Sequence, residues 1–267
     1  MAYMDTHAHV FDQDANFIKT ARYTPSYTVT AEDYLATLDK YGFDKGILIQ
    51  PSFYGTDNSY MLAAIAKYPH RLKGVAVVDK NRSSNELQQL KQQGVIGVRL
   101  NLFGLDCPDL SQPDWQAFLQ HLSELNWQLE LHAPPNYFIK LLPKLRAYNI
   151  AVVIDHFGRI DPAKGIDDPD YQAFITMLEP SQHWMKVSGY YRLAKDDKGI
   201  EYAKQSLNLL LQKNMQDRLL WGSDWPHTQF EQSMSFSNAL DKFRQIVQNE
   251  DLIEKILIKN NAWMWQN

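Results

Sequence analysis

Eight short apolar runs alternate with helical stretches along 267 residues, and this pattern predicts an α/β fold. The length suits a single (β/α)8 barrel of the TIM type, a fold that fills about 250 residues as one domain. Polar residues also collect at one end of the apolar runs, where a barrel builds its site. Residues 1–267 read as one domain, since no linker or low-complexity stretch divides them. A doubly wound open sheet is the alternative. It is weakened because no Gly-x-Gly-x-x-Gly follows the first strand.

The first strand is expected over Tyr3–Val10, where "MDTHAHV" sets Asp5, His7 and His9 two apart. Residues two apart share a strand face. All three are therefore expected on one inward face, with Asp5 deepest as a buried polar partner. Leaving such groups unpaired costs about 2–7 kcal/mol even for a neutral one. The irregular stretch Phe11–Val29 follows and is expected over the barrel mouth. The helix "TAEDYLATLDKYG" starts with Thr30 as N-cap and ends at Gly42. Strands are expected at Gly46–Gln50 and Lys73–Asp79, then the helix "SSNELQQLKQQG" closing at Gly94. Further strands fall at Gly97–Leu102, Gln128–Ala133, Ala151–His156, Met185–Gly189 and Leu219–Asp224. "SQPDWQAFLQHLSELN", "YAKQSLNLLLQKN" and the stretch from Glu231 to Asn249 carry apolar residues at helical spacing.

Composition narrows the function classes. A 45% hydrophobic and 22% charged chain is ordinary for a globular protein. A net charge of −4 without a basic run argues against nucleic acid or anionic membrane as partner. No apolar run approaches the ~18 residues of a membrane span. No basic segment followed by an apolar stretch opens the chain, so no signal peptide is expected. The single Cys107 forms no internal disulfide, which fits the cytoplasm. The aromatic ending "NNAWMWQN" packs either internally or against a second copy, which leaves a homo-oligomer open.

His7 and His9 end the first strand, Ser52 follows the second and Asp79 ends the third. Arg99 lies in the fourth; His132, His156 and Asp224 end the fifth, sixth and eighth. Arg159 and Arg192 lie just beyond strands six and seven. In a barrel these ends converge. Singly, most have structural explanations: Asp79 as a helix cap, and His70, His121 and His183 as surface residues. His227 reads equally well as bordering the pocket or not. Together they suit hydrolysis. A carboxylate can take a proton from water, and imidazole or a metal can stabilise an oxyanion. Arginine forks hold carboxylates, so an anionic substrate is expected.

The stretches "DTHAHVF", "ARYTP", "GTDN", "GVRLN", "VVIDHFGR", "KVSGYYR" and "LLWGSDWPH" resemble the amidohydrolase superfamily. They are most similar to its amidohydrolase-related branch of pyrone-dicarboxylate and sugar-acid lactonases, and they run in family order from Asp5 to His227. The resemblance implies a lactonase that opens a small carboxylated or polyhydroxylated lactone. Asp224 would activate water, while His7, His9 and His156 line the reacting carbonyl. Arg99, Arg159, Arg192, Tyr23, Ser52 and His132 would bind substrate. Several lactonases of this branch need no metal. Here His7, His9, His132 and Asp224 would also make a three-histidine, one-carboxylate set for one zinc ion. A zinc-dependent amide hydrolase, an aromatic-acid decarboxylase and a sugar-lactone isomerase are the alternatives. Two departures stand out: "NLFGLD" lacks the arginine that the pyrone enzymes carry after "GVR", which removes one clamp on a rigid dicarboxylate, and strand five ends in His132, where the metal-free pyrone enzyme has no histidine.

Overall fold

The computed structural model describes residues 3–266. Among them, eight strands pair in chain order, each parallel to the next. These are β1 (Tyr3–Ala8), β2 (Phe43–Ile49), β3 (Leu72–Ala76), β4 (Val95–Asn101), β5 (Gln128–His132), β6 (Val152–Ile154), β7 (His183–Lys186) and β8 (Leu219–Leu220). The chain after β8 returns to β1. The Thr6 N–H donates to the Trp221 carbonyl at 3.1 Å, and the Asp224 N–H donates to the His7 carbonyl at 2.8 Å. A parallel bridge between Ala8 and Trp225 completes the seam. The (β/α)8 barrel is therefore the observed fold.

Helices follow the strands: α1 (Ala31–Tyr41), α2 (Ser59–Lys67), α3 (Ser84–Gln92), α4 (Pro113–Glu124), α5 (Pro135–Leu145), α6 (Pro169–Thr176), α7 (Asp196–Gln212) and α8 (Phe236–Val247). Local chemistry sets their ends. A Thr30–Asp33 capping box starts α1, and Gly42 stops it at φ 76°, a conformation glycine adopts freely. A Ser83–Glu86 box starts α3. Helices α4, α5 and α6 each carry a proline in the first turn, where its missing N–H costs nothing. No helix among the described residues is long and apolar enough to cross a membrane.

Three sequence expectations need correction. β1, β6 and β8 stop at Ala8, Ile154 and Leu220, so His9, His156 and Asp224 follow their strands, and β3 stops at Ala76, so Asp79 does not end a strand either. It lies exposed in a turn, accepting from the Asn81 N–H at 2.8 Å, and Ser83 caps α3 instead. His183 is no surface residue; it opens β7 fully buried, and its Nδ1 accepts from the Glu179 N–H at 2.8 Å. The third concerns Asp5. The register of β1 against β2 shifts between Asp5 and Ala8, breaking the simple alternation. Asp5 pairs with Gly46 and faces the helices, where it accepts from the Tyr34 hydroxyl of α1 at 2.9 Å. The Ser223 N–H and hydroxyl donate to it at 2.8 and 2.6 Å. It is a buried polar partner, as expected, but on the other face.

The barrel interior is layered. Its floor is apolar, built from Met4, Ile47, Ile49, Val75, Ile96, Val153 and Leu220. After α9 (Glu250–Glu254), the final helix α10 (Trp263–Gln266) packs Met264 into that floor. The aromatic ending is thus packed internally, with Asn267 outside the described residues. Above the floor lies a layer of four ionisable side chains, in which burial raises Glu130 to about 7. Lys186 Nζ stands 2.7 Å from Glu130 and 3.3 Å from Asp155. Arg99 reaches Asp155 at 2.8 and 2.9 Å through two nitrogens. All four side chains are buried. Two cations meet two acids, and removing any one would strand a buried charge at a cost of about 3–5 kcal/mol.

Candidate active site

The C-terminal ends of the strands open into a cavity of about 360 Å³. Nine expected residues line it: His9, Tyr23, Ser52, Arg99, His132, His156, Arg159, Arg192 and Asp224. His7 lies just beneath them, fully buried. Tyr23 arrives on the stretch between β1 and α1, which Phe11 and Val29 pinch together by two backbone hydrogen bonds. Three of the residues, His156, Arg159 and Asp224, have positive φ of 48°, 53° and 60°. Side chains with a Cβ rarely adopt that conformation. Strain of about 1–3 kcal/mol each is held mainly where function requires it.

Asp224 organises the floor of the cavity. Its Oδ2 accepts from the Tyr191 hydroxyl at 2.6 Å and from Arg192 Nε. Its Oδ1 faces Nε2 of His7, His9 and His156 at 3.9, 3.8 and 3.9 Å. Burial alone would raise this carboxyl, but Arg192 and the histidines hold it well below the usual carboxylate range. One oxygen is tied and the other is free among imidazoles.

Each imidazole is fixed from behind. His9 Nδ1 lies 2.7 Å from the Ile49 carbonyl, and His156 Nδ1 lies 3.0 Å from the Ser188 hydroxyl. His7 Nδ1 lies 3.0 Å from Lys186 Nζ and 3.4 Å from Asp155 Oδ1. Burial pushes His156 down to about 3 and takes His7 well below the ordinary imidazole value. His227 sits outside the cavity lining, behind Asp224, with its Nδ1 3.1 Å from the Tyr191 hydroxyl.

The expected four-residue zinc set is not brought together among the described residues. Ligand atoms of His7, His9 and Asp224 lie within 4.8 Å of one another, as do those of His7, Asp155 and His156. His132 belongs to neither group. Its Nδ1 meets Asn101 at 3.1 Å, and its Nε2 meets the Arg159 guanidinium at 3.2 Å.

Four arginines line the cavity: Arg22, Arg99, Arg159 and Arg192. Asp155 pairs with Arg99 and Asp224 pairs with Arg192. Arg22 and Arg159 have no carboxylate partner among the described residues. Arg22 donates to Asn101 at 3.1 Å, while Arg159 stacks over Phe103 at 4.5 Å. Burial and the neighbouring Arg192 lower Arg159 to about 10. Sequence reasoning missed Arg22, although it precedes Tyr23 in "ARYTP". It also missed Lys186, Glu130, Asp155 and Tyr191. For Lys186, Glu130 and Asp155 the signal was a charge inside or at the end of an apolar run, as in "HWMKV" and "QLELH".

A closed β/α barrel with histidines and a carboxylate at the C-terminal mouth defines a class of barrel with a polar, enzyme-like centre. The model of the amidohydrolase family matches residues 4–265, and the chain belongs to that family. It is 30% identical over 268 residues to a 2-pyrone-4,6-dicarboxylate hydrolase of Comamonas testosteroni, covering 96% of this chain and 88% of the relative. It is 27% identical over 263 residues to a 4-sulfomuconolactone hydrolase of Hydrogenophaga intermedia, covering 96% and 86%. A solved Acinetobacter baumannii structure, named a probable 2-pyrone-4,6-dicarboxylic acid hydrolase with citric acid bound, shares 50% identity. That alignment covers all of both chains with a TM-score of 0.98.

Proposed function

We propose that this chain is a lactonase that opens a small lactone bearing anionic groups. The carrying observation is Asp224, an ionised carboxylate with Oδ2 held by Tyr191 and Arg192 and Oδ1 facing three imidazole nitrogens. Water between Oδ1 and those rings gives its proton to Asp224 as its oxygen attacks the lactone carbonyl carbon. The carbonyl π pair moves to oxygen, where an imidazole N–H stabilises it. Collapse breaks the ring C–O bond, and the leaving oxygen takes the proton back from Asp224.

Arg22 and Arg159 supply the anion preference, since each is a guanidinium without an acid to neutralise it. Arg22 lies against the "NLFGLD" stretch, donating to Asn101 at 3.1 Å, and adds a positive charge where that stretch lacks an arginine. Tyr23, Ser52 and His132 complete the walls. The names of the relatives, hydrolases of a pyrone dicarboxylate and a sulfonated lactone, support this substrate class. So does the tricarboxylate in the Acinetobacter structure. The reading needs no cofactor, because the rear nitrogen of His7 already meets an ammonium. It places the reaction in the cytoplasm, in keeping with a single cysteine.

The test is a panel of carboxylated, sulfonated and sugar lactones, with NMR of the product. An open acid supports hydrolysis, and a ring-shifted lactone supports an isomerase instead. Asp224→Asn should lower turnover by about 10²–10⁴-fold. Turnover unchanged in that variant would remove Asp224 from the role of base.

A further inference from the structure

We infer that Lys186 is a positioning residue that fixes the proton of His7 on Nε2, so that His7 and His9 face the cavity in opposite tautomers. An ammonium has three N–H donors and no acceptor. Lys186 Nζ donates to Glu130 Oε2 at 2.7 Å and meets His7 Nδ1 at 3.0 Å, while Asp155 Oδ1, 3.3 Å away, is an ion-pair contact without a hydrogen bond. With no acceptor on the ammonium, the 3.0 Å contact is a hydrogen bond only if His7 Nδ1 offers its lone pair. A neutral imidazole then carries its hydrogen on Nε2.

His9 is set the other way. Its Nδ1 lies 2.7 Å from the Ile49 carbonyl, which can only accept. His9 therefore holds its hydrogen on Nδ1 and turns the Nε2 lone pair to the cavity. His7 Nε2 is buried with no partner in the protein, the state of a donor awaiting a ligand oxygen. On the lactonase reading, which this step rests on for its chemistry, the pair divides the labour. His7 donates to the carbonyl oxygen, and His9 and Asp224 Oδ1 accept the two hydrogens of the attacking water.

The same arrangement bears on zinc. A metal bound by His7, His9 and Asp224 requires a lone pair on His7 Nε2. That lone pair appears only if Nδ1 donates to Asp155 Oδ1, 3.4 Å away, in place of accepting from Lys186. As long as Lys186 claims Nδ1, the donor set does not fit the ion.

The experiment reads the tautomers directly. In the full-length protein with 15N-labelled histidine, long-range 1H–15N correlation distinguishes a protonated from an unprotonated ring nitrogen. His7 and His9 signals are assigned by their loss in His7→Asn and His9→Asn. The expected result is hydrogen on Nε2 of His7 and on Nδ1 of His9. Hydrogen on Nδ1 of His7 overturns the inference, whether or not any lactone is turned over. Opposite tautomers in a protein inert to every lactone would sink the functional reading alone.

A second arm uses Lys186→Met with Glu130→Gln, which removes the ammonium and its nearest acid together. His7 should switch to Nδ1–H against Asp155. Zinc affinity, measured by competition with a coloured chelator, should rise at least about 10-fold. Turnover in the presence of a chelator should fall about 100-fold, the scale of one oxyanion donor. A folded double variant whose His7 keeps hydrogen on Nε2 also overturns the inference. If the variant does not fold, the wild-type spectrum still decides.

Discussion

Gly222→Ala should damage both stability and turnover, because a methyl group there would collide with His7 across the β8–β1 seam. A Cβ on Gly222 would lie 2.3 Å from His7 Cβ, 2.7 Å from its backbone nitrogen and 3.0 Å from its Cα. Carbon atoms rest at about 3.5–4.0 Å, so the seam must open by more than about 1 Å. Two of the three contacts are backbone, and rotating a side chain cannot relieve them. Overpacking of this kind costs about 1–3 kcal/mol. The shift also carries His7 away from Asp224, now 3.9 Å distant, and a 1 Å misplacement can cost about 100-fold in rate. Urea unfolding and steady-state kinetics measure both effects. The expected result is a lower urea midpoint with kcat reduced more than KM is raised. A variant with the parent's midpoint and kcat would show that the seam yields without cost and that His7 placement does not matter.

Three further outcomes follow from the geometry. Arg159→Lys keeps the charge but loses the planar fork over Phe103. KM for an anionic lactone should rise about 10–100-fold, the worth of a charge-assisted pair, with kcat changed less; an unchanged KM would remove Arg159 from substrate binding. Tyr191→Phe deletes a donor to Asp224 Oδ2. The charged form loses support, so the carboxyl value rises and the acidic limb of the kcat profile should move to higher pH; a fixed limb would refute that coupling. Burial lowers His183 from 6.5 to about 4. Between those values the unfolded chain binds a proton that the fold does not, so stability falls as pH falls through that window. The loss reaches up to about 3 kcal/mol near pH 4. His183→Asn, whose Oδ1 can replace Nδ1 as acceptor, should flatten urea midpoints between pH 7 and 4.5; an unaltered slope would clear His183.

The barrel was legible because its strands are apolar runs and its helices carry their own punctuation, such as Thr30, Ser83 and Gly42. The mouth residues were legible because they sit at or just beyond strand ends, where a polar side chain breaks the pattern. What failed was fine register. Alternation placed Asp5 beside His7, but the irregularity between Asp5 and Ala8 leaves no mark in residue type. His183 was misplaced because "SQHWMK" reads polar until its third residue proves to open a strand. The charged layer was missed for a different reason. Lys186, Glu130 and Arg99 come from three strands and Asp155 directly follows a fourth, and only closure makes them one network. No local window contains a pair of them. His132 looked like a fourth ligand because of its strand position, whereas its partners, Asn101 and Arg159, come from neighbouring strand ends.

The seam between β8 and β1 also sets when this molecule becomes competent. Asp224 comes from near the end of the chain, and His7 and His9 from its beginning. A nascent chain still lacking β8 holds the imidazoles and all four cavity arginines, yet lacks the carboxylate of Asp224. Joining the two termini closes the longest loop available, the contact that loop entropy and contact order make slowest to form. Recovery of turnover during refolding is therefore a clock for the last event, trailing the return of helical signal. The barrel cannot work half-built, and any activity counted is a count of closed rings.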